Sequence, residues 1–134
     1  MYAAGAPHEL REPSVRIVRL VRDGMLQAVI SAEVIQEILH RFVAIRRPGV
    51  GARIARDALD LFAPVLPITH AVMDRMPELI ARYPSLTARD LVHVATCLED
   101  GIGAIVSPDR GLDAVREVRR IPLDDAEALL QYGS

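Results

Sequence analysis

Apolar residues recur along most of this chain at the three-and-four spacing of amphipathic helices, and the exceptions are short apolar runs that suit strands. Val15, Val18 and Val21, with Ile17 and Leu20 beside them, predict a first helix that Pro13 opens from its first turn and Gly24 ends. MLQAVIS reads as a strand. Ser31 stands at the N-cap position of a second helix, AEVIQEILHRF, whose Val34, Ile35, Ile38, Leu39 and Phe42 repeat at helical spacing. Pro48 and Gly49 break the chain before a third helix, ARIARDALDLF, with a stripe through Ile54, Ala58, Leu59 and Phe62.

PVLPIT predicts a short strand, and Thr69 caps a fourth helical stretch, HAVMDRMPELIARY, in which Pro77 forces a kink or a restart. Thr87 with Asp90 three residues on approaches a capping box and opens a helix that stops at Gly101. IGAIVS is short and mostly apolar, as a strand buried on both faces should be, and Ser107, Pro108 and Asp109 end it. A loop or short helix, RGLDAVREV, leads to a last strand, RRIPL. Strands alternating with helices of this length predict an α/β fold with a parallel sheet and helices on both faces.

With 134 residues, 51% of them apolar and 25% charged, the chain is expected to form one domain over residues 1–134, without repeat or linker. The net charge of −2 gives no overall basic field, so contact with nucleic acid has to use a local patch. All sixteen basic residues are Arg, and Lys, Asn and Trp are absent. The single Cys97 excludes an internal disulfide, agrees with a reducing cytoplasm and sits in a core-like run, LVHVATCL. No apolar stretch reaches membrane-spanning length, and the N-terminus has no signal-peptide pattern, so no membrane association is expected.

Three carboxylates stand out by position. Asp109 follows a strand end, where open parallel sheets bind ligands, although a turn-forming Asp fits the same place. Asp90 lies in a first helical turn, where dipole and backbone N–H groups favour a carboxylate whether or not it has a further role. Glu37 borders an apolar stripe and is either a directed carboxylate or an exposed, intrahelically paired one. Asp113 either joins such a cluster or caps a short helix. His40, three residues after Glu37, reads as an exposed polar side chain, because one such pair does not make a metal site. Carboxylates without a thiol or imidazole set suit a hard cation such as Mg2+ or Mn2+, and hence phosphoryl chemistry. No G-x-S-x-G elbow or glycine-rich phosphate loop competes with that reading.

At these residues the chain resembles the PIN-domain ribonucleases of the VapC toxin type. The resemblance runs through YAAGAPHELREPS, ISAEVIQEILHRF, LTARDLVHVATCLEDGIGAIVSPDRGLDAV and RRIPL. It implies a PIN-like three-layer fold in which four acidic residues gather at one end of a parallel sheet, bind Mg2+ or Mn2+ and hydrolyse RNA phosphodiesters with a metal-activated water. Glu37, Asp90 and Asp109 match the second, third and fourth acids; Asp113 supplements the metal set, and Ser31 matches a supporting hydroxyl that opens the second helix. The first acid, expected in an Asp-x-Asn-type motif ending an N-terminal strand, has no match, so the resemblance implies an incomplete N-terminus with the first strand missing, by truncation ahead of natural loss.

Arg41, Arg46, Arg47, Arg53, Arg56 and Arg110 are the candidates for RNA phosphate contact. The resemblance further implies a cognate antitoxin and a homodimer. The alternative is a non-catalytic PIN-like domain that keeps the antitoxin-binding or dimerisation surface. A receiver-like switch domain is disfavoured by acids placed late in the chain.

Overall fold

In a computed structural model the described residues are 8–125, with 128 and 130. Residues 2–7, the start of the first matched segment, lie outside them. The chain divides into two compact units that meet in sequence between Leu66 and Pro67. Among the described residues no helix is long and apolar enough to cross a membrane.

The first unit contains α1 (His8–Arg22), α2 (Ala32–Ala44) and α3 (Pro48–Leu61). α1 starts earlier than the sequence pattern suggests: Pro13 lies within it, beyond the first turn, where its ring removes one helical hydrogen bond. Helix α2 packs on α3 through Ile38, Phe42 and Ala55, with Val34, Ile35, Leu39 and Ile54 at the margin. Pro48 begins α3 instead of merely breaking the chain, because its missing N–H is one of the donors a helix start leaves unpaired anyway. Gly51 is required where the helices touch, since a Cβ there would lie 2.5 Å from Phe42 Cβ.

The strand expected at MLQAVIS forms only one parallel bridge, Ser31 to Leu66 of PVLPIT. Its hydrogen bonds run from Leu66 N–H to Ile30 O and from Ala32 N–H to Leu66 O, both 2.8 Å. Leu26 is buried and Ala28 and Ile30 are half-buried, whereas Met25, Gln27 and Val29 are exposed, so the period of two survives as far as Ile30 where the ladder does not.

The second unit contains α4 (His70–Asp74), α5 (Met76–Arg82), α6 (Ala88–Glu99), β1 (Ala104–Val106), a 3₁₀ turn (Arg110–Ala114) and β2 (Arg119–Ile121). Thr69 caps α4, its Oγ1 accepting from Val72 N–H at 3.2 Å. Pro77 restarts the helix as α5. β1 and β2 pair in parallel with Ile105 opposite Arg120, as the alternation of strand and helix predicts. β1 is not buried on both faces: Ala104 and Ile105 are half-buried and Val106 is exposed. Leu91, Val94 and Ala95 of α6 are fully buried at the centre of the core, with Val72, Leu79, Leu112 and Val118 around them. Cys97 packs against that core, as the sequence suggests.

Candidate functional site

Glu37 belongs to the first unit, whereas Asp90, Asp109 and Asp113 belong to the second. Glu37 is half-buried on α2, at the edge of the stripe led by Ile38 and Phe42. His40 is exposed. Ser31 occupies the N-cap of α2 and is buried, yet it makes no side-chain cap hydrogen bond; the bridge opposite Leu66 is carried by the backbones of its neighbours Ile30 and Ala32.

Asp90 sits in the first turn of α6, and its N–H donates to Thr87 Oγ1 at 3.1 Å. The cap is therefore supplied by Thr87, which leaves the Asp90 carboxylate outside the capping bond. Asp109 follows β1 after Ser107 and Pro108. Its N–H donates to Ser107 Oγ at 3.1 Å, and its own Oδ1 accepts from Gly111 N–H at 2.9 Å. This local turn fixes one oxygen and starts the 3₁₀ turn. Gly111 is placed so closely that a Cβ would lie 3.0 Å from Asp109 Oδ1.

Asp113 does not cap a following helix. It faces Arg120 of β2, whose Nε and Nη2 donate to its two oxygens at 2.7 and 3.4 Å. The hydrogen bond from that guanidinium, with further attraction from Arg120 and Arg110, holds the Asp113 carboxyl below the usual carboxylate range against a smaller desolvation effect. The sequence pattern puts Arg120 in a strand, RRIPL, and assigns it no partner. The available signal was an arginine between Arg119 and the apolar Ile121 in a short strand, which alternation turns toward a face where a charge needs a partner.

The donor chemistry suits a hard divalent cation, because the positions singled out offer carboxylate oxygens and no thiolate or imidazole group. Within neither unit do three His, Cys, Asp or Glu side chains gather into a ready-made metal group among the described residues.

Around the first unit's helix pair the charge is one-sided. Residues 38–56 contain five arginines and no acidic residue. Arg41, Arg46, Arg47, Arg53 and Arg56 are all exposed, as is Arg110 in the second unit. Such a run can meet a phosphate backbone even though the molecule as a whole is slightly acidic.

The family model described as PIN domain matches residues 2–118. A VapC ribonuclease of Mycobacterium bovis is 32% identical over 121 residues, covering 90% of this chain and 92% of the relative. Ribonuclease VapC13 of Mycobacterium tuberculosis shows the same identity and coverage. Ribonuclease VapC7 of the same species is 31% identical over 127 residues, covering 94% of this chain and 88% of the relative. No solved structure gives a significant match. A family match over most of the chain and several relatives covered nearly end to end agree with the parallel α/β pattern: the chain belongs to the PIN-domain family, among its VapC-type ribonucleases.

Proposed function

We propose that this chain is the ribonuclease toxin of a toxin–antitoxin pair, hydrolysing RNA phosphodiesters in the cytoplasm with Glu37, Asp90 and Asp109 as its acting carboxylates. The observation that carries the reading is the setting of Asp109. It stands just past the carboxyl end of a parallel strand, with Oδ1 tied to Gly111 N–H and, among the described residues, no donor on Oδ2. A carboxylate held by one oxygen keeps the other for a ligand.

Asp90 supports the reading from the first turn of α6, where Thr87 already satisfies the local N–H. Within the second unit Asp109 and Asp90 would hold Mg2+ or Mn2+, and Glu37 is added by the family resemblance alone. When bound, such an ion supplies positive charge to the phosphate and a more acidic water. The chain's own task is orientation: the turn at Ser107–Asp109–Gly111 presents a fixed carboxylate, and exposed arginines hold the RNA backbone by charge-assisted hydrogen bonds. Asp113, already on a guanidinium fork, is not required as a ligand.

A cognate antitoxin as partner and self-association as a homodimer, both implied by the resemblance to VapC-type toxins, belong to the same proposal. The test is cleavage of RNA with added Mg2+ or Mn2+, stopped by chelator and abolished in Asp90→Asn with an unchanged circular dichroism spectrum. Full activity in Asp90→Asn would remove that residue from the acting set. Capture of the antitoxin without metal-dependent cleavage would instead establish a non-catalytic domain.

A further inference from the structure

We infer that Arg120 is the positioning residue for Asp109, with Asp113 as its counterion: a guanidinium in β2 closes the loop that presents the carboxylate. This rests on the reading of Asp109 given above. The loop begins at Ser107, whose N–H donates to Ile121 O at 3.1 Å, extending the β1–β2 pairing by one step. Its carbonyl accepts from Arg120 Nη1 at 2.9 Å. Ser107 Oγ accepts from Asp109 N–H, and Asp109 Oδ1 accepts from Gly111 N–H. Two residues beyond Gly111, Asp113 returns to Arg120 through both oxygens.

Hydrogen bonds link Arg120 to Ser107, Ser107 to Asp109 and Asp109 to Gly111, and the backbone through Leu112 carries the path on to Asp113, whose bonds to Arg120 close the circuit. Asp109 sits halfway round it. Leu112, buried between the last two members, anchors the same loop in the core. A lone exposed ion pair would restrain little. Here the guanidinium is nearly buried, its side chain 11% exposed against 57% for Asp113, so the fork has little freedom to turn away.

The geometry also needs an arginine. One planar fork reaches a carbonyl in one direction and a carboxylate in another, which the single ammonium of lysine cannot reproduce. Asp113 therefore has a task that does not involve a metal ion. Removing either partner frees the loop, and a displacement of about an ångström in a positioned carboxylate costs up to about a hundredfold in rate.

The experiment compares Asp109→Asn, Arg120→Lys, Asp113→Asn and the double variant Arg120→Lys/Asp113→Asn in the full chain. RNA cleavage is measured over graded RNA and graded Mg2+, with melting temperature and amide exchange at Asp109 and Gly111 on the same samples. Expected are an inactive Asp109→Asn and about tenfold lower kcat in Arg120→Lys and in Asp113→Asn. KM for RNA should stay within about twofold, exchange at the two amides should quicken, and the double variant should be no slower than the worse single one, because both remove one circuit.

Wild-type kcat in Arg120→Lys beside an inactive Asp109→Asn overturns the role of Arg120 and leaves the Asp109 reading standing. Wild-type kcat in Asp109→Asn overturns that reading and this proposal with it. An Asp113→Asn variant as inactive as Asp109→Asn, with Arg120→Lys unaffected, makes Asp113 a ligand in its own right and also overturns the proposal. If Arg120→Lys melts too early to assay, Asp113→Asn, altered at an exposed carboxylate, carries the same kcat and exchange test alone.

Discussion

Arg46 has φ of 61°, a left-handed conformation that a side chain with a Cβ adopts at a cost of roughly 1 kcal/mol. The hydrogen bonds around it explain why it does so: Arg46 N–H reaches Val43 O at 3.0 Å and Arg47 N–H reaches Phe42 O at 2.7 Å, the paired bonds of a Schellman stop. Arg46→Gly should therefore raise stability by about 0.5–1 kcal/mol, read as a higher urea midpoint at unchanged slope. If Arg46 also contacts RNA, the same variant binds RNA more weakly, so the two measurements move in opposite directions. Cys97 gives a pH prediction at the same scale. Desolvation, with a smaller effect of Asp100, raises its thiol from 9.0 to about 11. The folded state thus holds the proton more tightly than the unfolded one. The resulting stability is present below pH 9 and is lost as pH climbs toward 11, on the order of 2 kcal/mol in all. With no Lys in the chain, few other groups titrate there, and Cys97→Ala should flatten this alkaline decline in denaturant midpoint.

Helix ends show which signals a sequence carries and which it hides. Gly24 and Gly101, with φ of 74° and 70°, end α1 and α6 by the same paired bonds, and both stops are legible because glycine advertises the left-handed position. The stop at Arg46 is not legible, since nothing in an arginine signals positive φ; the break is readable only at Pro48 and Gly49, where α3 has already begun. Pro77 is legible for the opposite reason: its ring forbids continuation wherever the helix would have passed through. Strands fare worse, because a run such as MLQAVIS records a preference for extension while pairing depends on a distant partner, here Leu66 alone. At the same scale, glycines in α3 differ sharply. Gly51→Ala should cost about 1–3 kcal/mol by forcing α2 and α3 apart at Phe42, whereas Gly49→Ala, with nothing near its added methyl, should change stability by about 0.5 kcal/mol or less. Equal losses in thermal or urea unfolding would mean that the close approach at Phe42 is not what fixes Gly51.

At the scale of the molecule, the charge is divided along the chain in a way the net value conceals. Position and residue type made Asp109 legible as a candidate after a strand end, Asp90 in a first helical turn and Glu37 at the border of an apolar stripe, although a turn, a helix dipole and an intrahelical pair fit the same places. The Arg120–Asp113 pair was hidden, since a contact across seven residues and two elements leaves no periodic trace. The basic run at residues 38–56 lies between these cases: it is visible as composition, but the α2–α3 hairpin decides that its five arginines are exposed. If it holds the RNA backbone, affinity must fall with salt, by roughly 0.7 in log K per log unit of salt for each phosphate contact with a single strand. Arg46→Ala/Arg47→Ala in an Asp90→Asn background, expected to bind without cutting, should then reduce that slope by about 1.4. Fluorescence anisotropy with a short single-stranded RNA from 50 to 300 mM salt reads it directly. A weaker complex with an unchanged slope would mean that the two arginines act through the α2 stop and not through phosphates, and the backbone path would then have to run elsewhere on the surface.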